Sequence, residues 1–150
     1  MKQYKSNAET YSIVKNKTNI PKVKITSAKD AYEYIKNNLY SEDIEVFESM
    51  WLLLLNQKNI VTGFVKISQG GVAGTVVDVK IVGKYVLGNL APAFIIAHNH
   101  PSGEKRPSNA DIVITNKIKD MAKLIDSRLL DHLIITKEDG HYSFAEEGLI

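Results

Sequence analysis

The sequence contains no cysteine. That removes disulfides, thiolate zinc sites, iron–sulfur clusters and cysteine nucleophiles, so any metal has to be held by histidine and carboxylate groups. Long apolar runs are also missing. The longest, residues 50–55, is far short of the roughly 20 residues that cross a bilayer, so no membrane association is expected. The opening MKQYKSNAET is polar and lacks the apolar stretch of a secretory signal, which makes the cytoplasm the expected location. An excess of one charge is absent as well. Nineteen Lys+Arg against seventeen Asp+Glu leave a formal net charge of +2, too small to point to a nucleic-acid or membrane partner by itself. What remains is an ordinary globular composition, 44% apolar and 24% charged over 150 residues, enough for one domain to bury a core of its own.

Patterning along the chain predicts an α/β (α+β) layer fold. Residues 1–25 are rich in Lys, Asn and Thr, with short β-like patches at 11–14 and 23–25, and read as an N-terminal arm laid on a domain that occupies 26–150. Ser27 followed by Asp30 is a helix-start signal, and Ala28, Ala31, Tyr34, Ile35 and Leu39 recur at helical spacing. An acidic stretch at 42–48 leads into the apolar run 50–55, the turn 56–59 and a second strand at 60–67, a hairpin whose first strand is buried on both faces. Gly70, Gly71 and Gly74 mark a turn before a short helix at 79–90, which Gly83 and Gly88 weaken. The run 93–97 reads as a central strand. Residues 101–107 are loop, Ser108 opens a helix carrying Ile114, Ile118, Met121 and Ile125, and strands at 129–136 and 141–145 follow. The order α-β-β-α-β-α-β-β implies a mixed sheet between helices.

The chemistry concentrates between His98 and Asp111. On an extended chain residues i and i+2 project to the same side, so His98 and His100 can offer two imidazoles to one point, a pairing that suits zinc. A carboxylate at about 2.0–2.2 Å would complete a three-ligand site of the catalytic kind. Asp111 is the best candidate, because the first turn of a helix favours an ionised carboxylate. The plainer reading is that Ser108 and Asp111 only cap the helix and that the histidines hydrogen-bond the loop. His132, in an apolar strand, is read as a core histidine or one that supports a ligand from behind, and His141, after a hairpin turn, as exposed. Trp51 is read as core, and Lys105 and Arg106 as solvated.

His98, His100, Ser108 and Asp111 fill the pattern H-x-H, seven residues, S, two residues, D, which resembles that of the JAMM (MPN/JAB-domain) zinc metalloproteases. The spellings around 98–103, 107–111 and 130–135 are similar to the RadC branch of that class, which carries a DNA-repair label. The similarity runs from about Ile25 to the end. Two departures are a missing N-terminal helix-hairpin-helix segment, for which 25 polar residues leave no room, and Asp78-Val79-Lys80 where the family has Pro-Arg-Glu.

The resemblance implies a JAB/MPN-like fold, layered like the cytidine deaminases, and a zinc ion held by His98, His100 and Asp111. It also asks for a Glu just ahead of the first core strand. Glu42, Glu45 and Glu48 compete, and Glu48, eight residues before Asn56, fits the family spacing, with Glu45 its rival. In the implied mechanism Glu48 orients water and carries its proton to the leaving amine, and the Ser108 hydroxyl helps to stabilise the oxyanion. The implied substrate is a peptide or isopeptide. The alternative is a non-enzymatic DNA-repair or DNA-associated module with a structural or vestigial zinc site, whose DNA binding would be weak at this net charge.

Overall fold

The computed structural model describes residues 7–9, 19–70 and 76–150. The expected strand at 11–14 lies outside them, as do Gly71 and Gly74. The described elements are α1 (Ala28–Asn38), a single 3-10 turn (Glu42–Glu45), β1 (Ser49–Leu55), β2 (Val61–Gln69), α2 (Val79–Asn89), β3 (Ala93–Asn99), α3 (Asn109–Leu124), β4 (Arg128–Ile135) and β5 (His141–Ser143). The predicted element order is the observed one.

Each helix starts where a side chain can satisfy its free N–H groups. Ser27 Oγ accepts from the Asp30 N–H at 3.1 Å, and the Asp78 carboxylate from the Lys80 N–H at 2.9 Å. α2 stops one residue before the sequence suggests. Leu90 leaves the helix in the left-handed region (φ 53°), and its N–H turns back to the Leu87 carbonyl.

The five strands form one sheet in the order β2-β1-β3-β4-β5, and only β3 and β4 run parallel. Helices cover both faces, which is why β1 and β3 read as continuous apolar runs. Alternate side chains sort between the two layers. Leu53, Leu55, Ile95, Ala97, Leu133 and Ile135 pack with Ala31, Tyr34 and Ile35 of α1. Met50, Leu52, Leu54, Phe94 and Ile96 pack with Val82 and Val86 of α2 and with Ile118 and Ala122 of α3. Leu52 and Phe94 are fully buried, so truncating either to Ala costs about 2–5 kcal/mol. The same alternation sends His98, two residues beyond Ile96, toward α3 and turns Asn99 to the opposite face.

Three local expectations are corrected. The patch at 23–25 is no strand but a single bridge, Lys24 to Ile60, because the chain turns away at once into the Ser27 cap. β5 is only three residues long, since the Ala145 N–H is taken by the Asp131 carboxylate at 3.0 Å instead of a strand partner. His141 is not exposed: its ring lies 5.0 Å from that of Tyr32, and its Nε2 is 3.6 Å from Glu146. Among the described residues no helix is long and apolar enough to cross a membrane.

Candidate metal centre

β3 carries the chemistry out of the sheet at its carboxyl end. His98 lies within the strand, and His100, one residue past it, still donates its N–H to the Ile135 carbonyl at 3.0 Å. A tight turn follows, in which the Gly103 N–H bonds the His100 carbonyl at 3.1 Å. Pro101 presets the second position of this turn, and Gly103, at φ +83°, occupies a conformation that disfavours a side chain. The loop then delivers Ser108 and the start of α3 beside the two histidines. Ser108 Oγ accepts from the Asp111 N–H at 3.1 Å, and Asp111 Oδ2 accepts from the Ser108 N–H at 2.7 Å. This reciprocal cap is the plainer reading of the two residues, and it also aims the carboxylate at the imidazoles.

His98 Nε2 and His100 Nε2 are 2.7 Å apart, and each lies 3.3 Å from an oxygen of Asp111. Glu48 joins them, and one ligand atom from each of the four residues lies within 4.8 Å of all the others. Glu45 points elsewhere and pairs with Lys137 at 2.8 Å, while Glu42 stays exposed on the 3-10 turn. Of the three competing acids, the fold therefore brings Glu48 to the histidines. His132 stays out of this cluster, fully buried behind His98.

Hydrogen bonding fixes which face of each ring carries a lone pair. The Asp111 carbonyl can only accept, so Thr115 must spend its one hydroxyl proton there, at 2.5 Å. His132 Nδ1–H must then donate to Thr115 Oγ1 at 2.6 Å, leaving His132 Nε2 to accept from His98 Nδ1–H at 2.7 Å. His98 Nε2 is left with its lone pair toward His100. In the same way the His100 Nδ1–H is spent on the Glu104 carbonyl at 2.6 Å, which turns a second lone pair into the same space. With both rings neutral, two imidazole lone pairs and a carboxylate converge with no donor among them, so the cation that fits there is a metal ion or, in its place, a proton.

The electrostatics agree. Burial opposes the ionisation of Asp111, but the hydrogen bonds from His100, His98 and the Ser108 N–H outweigh it and hold the carboxyl well below its usual range. Burial also works against a charged His100 ring, and the Asp111 carboxylate and the Glu104 carbonyl overcome it, so its pKa is raised. His132 is driven the other way by its complete burial and by His98, and stays neutral. It stacks on Phe144 with centroids 4.5 Å apart.

The cluster opens into a cleft of about 560 Å³ lined by Glu48, His100, Ser102, Arg106, Ser108 and Asp111, among others. Because the Ser108 oxygen already accepts from α3, its proton is left to donate into this cleft. Lys105, expected to be solvated, instead donates to the Asp139 carbonyl at 2.7 Å, whereas Arg106 is exposed. Trp51 is partly buried, against Tyr40 and Phe64. Thr115 is the member that sequence reasoning missed. Its signal was present, since it stands four residues after Asp111 on one helix face.

The sequence profile of the RadC-like JAB domain matches residues 25–149. The chain is 48% identical over 126 residues to a UPF0758 protein of Flavobacterium johnsoniae, covering 84% of this chain and 53% of that one. It is 46% identical over 103 residues to a UPF0758 protein of Porphyromonas gingivalis, covering 69% and 45%, and 42% identical over 124 residues to one of Vibrio cholerae, covering 83% and 76%. The chain thus spans about half the length of the first two relatives. A profile match across nearly the whole described domain, joined to relatives at this level of identity, shows that the chain belongs to the RadC-like JAB domain family.

Proposed function

We propose that the chain is a zinc-dependent hydrolase that cleaves a peptide or isopeptide bond. The observation that supports this best is the convergence of lone pairs from His98, His100 and Asp111 at the edge of an open cleft, with a further carboxylate, Glu48, beside them. His98, His100 and Asp111 would hold zinc, and three protein ligands are the number typical of catalytic zinc sites. Zinc so held would supply a Lewis acid that brings the pKa of bound water down to about 7.

The chain's own groups divide the remaining work. Glu48 orients the attacking water, takes its proton on a carboxylate oxygen and passes it to the leaving amine. Ser108 Oγ–H donates to the carbonyl oxygen as negative charge gathers there. The Thr115–His132–His98 chain keeps the His98 Nε2 lone pair aimed at the metal position.

The test is elemental analysis of protein purified without chelator, followed by a cleavage screen of the zinc-loaded protein against peptides and isopeptide conjugates. One metal ion per chain and cleavage abolished by chelator are expected. Failure to take up zinc would overturn the proposal, and uptake without cleavage would favour the DNA-associated alternative. Under the enzyme reading, duplex binding is weak and lost as salt rises, because a net charge of +2 neutralises few phosphates. Tight sequence-specific binding at physiological salt would reverse the order.

A further inference from the structure

We propose that Asn99 is a positioning residue for Glu48: one buried side-chain amide grips the backbone on both sides of the acid. The inference rests on the reading of Glu48 as the proton carrier. Asn99 stands between the two histidines, but by strand alternation it faces the opposite side of the sheet and touches no metal-binding atom.

Its four hydrogen bonds all go to the segment that carries Glu48. Asn99 Nδ2 donates to the Ile44 and Phe47 carbonyls, each at 2.7 Å. Asn99 Oδ1 accepts from the Ser49 N–H at 2.8 Å and from Ser49 Oγ at 3.1 Å. The two carbonyls can only accept and the Ser49 N–H can only donate, so one orientation of the amide satisfies the whole set. The Phe47 carbonyl belongs to the peptide unit before Glu48 Cα, and the Ser49 N–H to the unit after it. One side chain therefore fixes the planes on either side of that carbon.

Neighbouring groups complete the clamp. The Glu48 carbonyl accepts from the Gly70 N–H at 2.8 Å, and the Ser49 carbonyl from Tyr40 Oη at 3.1 Å. The 42–48 segment has only one 3-10 turn of regular structure, so the four Asn99 bonds, with those from Gly70 and Tyr40, set where the Glu48 backbone stands relative to His98 and His100. The residues 98–100 then act as a unit. Two side chains on one face aim at the metal, and the one between them, on the other face, places the acid. An aspartate at 99 would keep the shape but set a carboxylate oxygen against the Ile44 and Phe47 carbonyls.

The test follows Glu48 directly, by NMR of the full chain carrying 13C-labelled glutamate, with Glu48→Gln used for assignment. Adding zinc chloride should shift the Glu48 carboxyl resonance in the native chain. In Asn99→Asp and Asn99→Ser that response should largely vanish. Zinc affinity should meanwhile change less than the roughly 10-fold or more that loss of a group supporting a ligand costs, and the His98 and His100 resonances should respond as before. In any substrate that the native chain cleaves, kcat should fall about 10²-fold with KM little changed, the cost of a displaced catalytic group. Should both variants fail to fold, the native chain still decides, because the Asn99 side-chain amide protons should exchange as slowly as backbone amides of β1 and β3. If the native chain cleaves nothing, the hydrolase reading fails, while the NMR response still judges Asn99. A Glu48 resonance indifferent to zinc in the native chain, an unchanged response in both variants, or Asn99 amide protons exchanging at the rate of an exposed side chain would each overturn the proposal.

Discussion

Zinc and a proton compete for His100, so the stabilisation that zinc adds should shrink as pH is lowered. The His100 pKa is raised: burial opposes its charge, but the Asp111 carboxylate and the Glu104 carbonyl prevail. A raised folded value means that this group's stabilisation is fully present below its unfolded pKa of about 6.5 and is lost as pH climbs through the folded value. In chelator, the His100 contribution to stability should therefore fall as pH rises above about 6.5. His132, whose pKa is lowered, contributes in the opposite sense in both the metal-free and the zinc-loaded chain, so the difference between them isolates His100. Asp111 is held ionised and has no proton to lose, so binding must expel the one on His100. Below the folded His100 pKa the affinity should rise tenfold per pH unit, about 1.4 kcal/mol. Zinc at 100-fold its Kd adds about 2.7 kcal/mol, and one pH unit lower, at the same zinc concentration, about 1.4 kcal/mol. For a domain of this size these amounts correspond to melting shifts of about 5–11 °C and about 3–6 °C. Calorimetric melts between pH 6 and 8, with chelator and with zinc, give the zinc-induced shift at each pH, and titrations in buffers of different ionisation enthalpy count the protons released. A zinc-induced shift that is the same at both ends of the range, or binding that releases no proton, would refute the reasoning.

Glu48→Gln should bind zinc and gain its thermal stabilisation like the native chain, yet lose about 10²–10⁴-fold in turnover, checked by metal analysis beside kinetics. Ser108→Ala should retain the metal, slow hydrolysis through the lost oxyanion contact, and lose about 1 kcal/mol in urea unfolding, because its oxygen caps α3. Asp131→Ala should cost about 3 kcal/mol in the same assay without abolishing zinc binding. It strips the acceptor from the His132 N–H, Ser143 Oγ and the Ala145 N–H, and an orphaned buried donor costs about 1–3 kcal/mol.

Much of this protein is readable from local chemistry. The doubly buried runs of β1 and β3, the Ser27 and Ser108 caps and the element order all depend on side chains interacting within a turn or alternating along a strand. The pairing of His98 with His100 is of the same kind, since it needs only the period of an extended chain. Asp111 could be tied to them because its helix cap follows after one short loop.

Where the chain meets itself across long intervals, the sequence left alternatives open that the tertiary structure closed. Glu42, Glu45 and Glu48 share one acidic stretch whose local pattern prefers none of them, and only the family spacing singled out Glu48, with Glu45 its rival. Glu48 reaches the histidines because its backbone is held from Asn99, about fifty residues away, while Glu45 is drawn to Lys137. His132 could have been any core histidine. It lies behind His98 because β4 pairs in parallel with β3, while α3 carries Thr115 over both. The exposed reading of His141 failed for the same reason, since the ring packs on Tyr32 of α1, from the other end of the chain. The sequence by itself determined the elements, the core faces and three of the converging groups, because those depend on neighbours in the chain. Only the tertiary structure decided what holds Glu48, chosen from the family spacing, beside the histidines and what hydrogen-bonded support lies behind them, because a long-range hydrogen bond leaves no periodicity in the residues that make it.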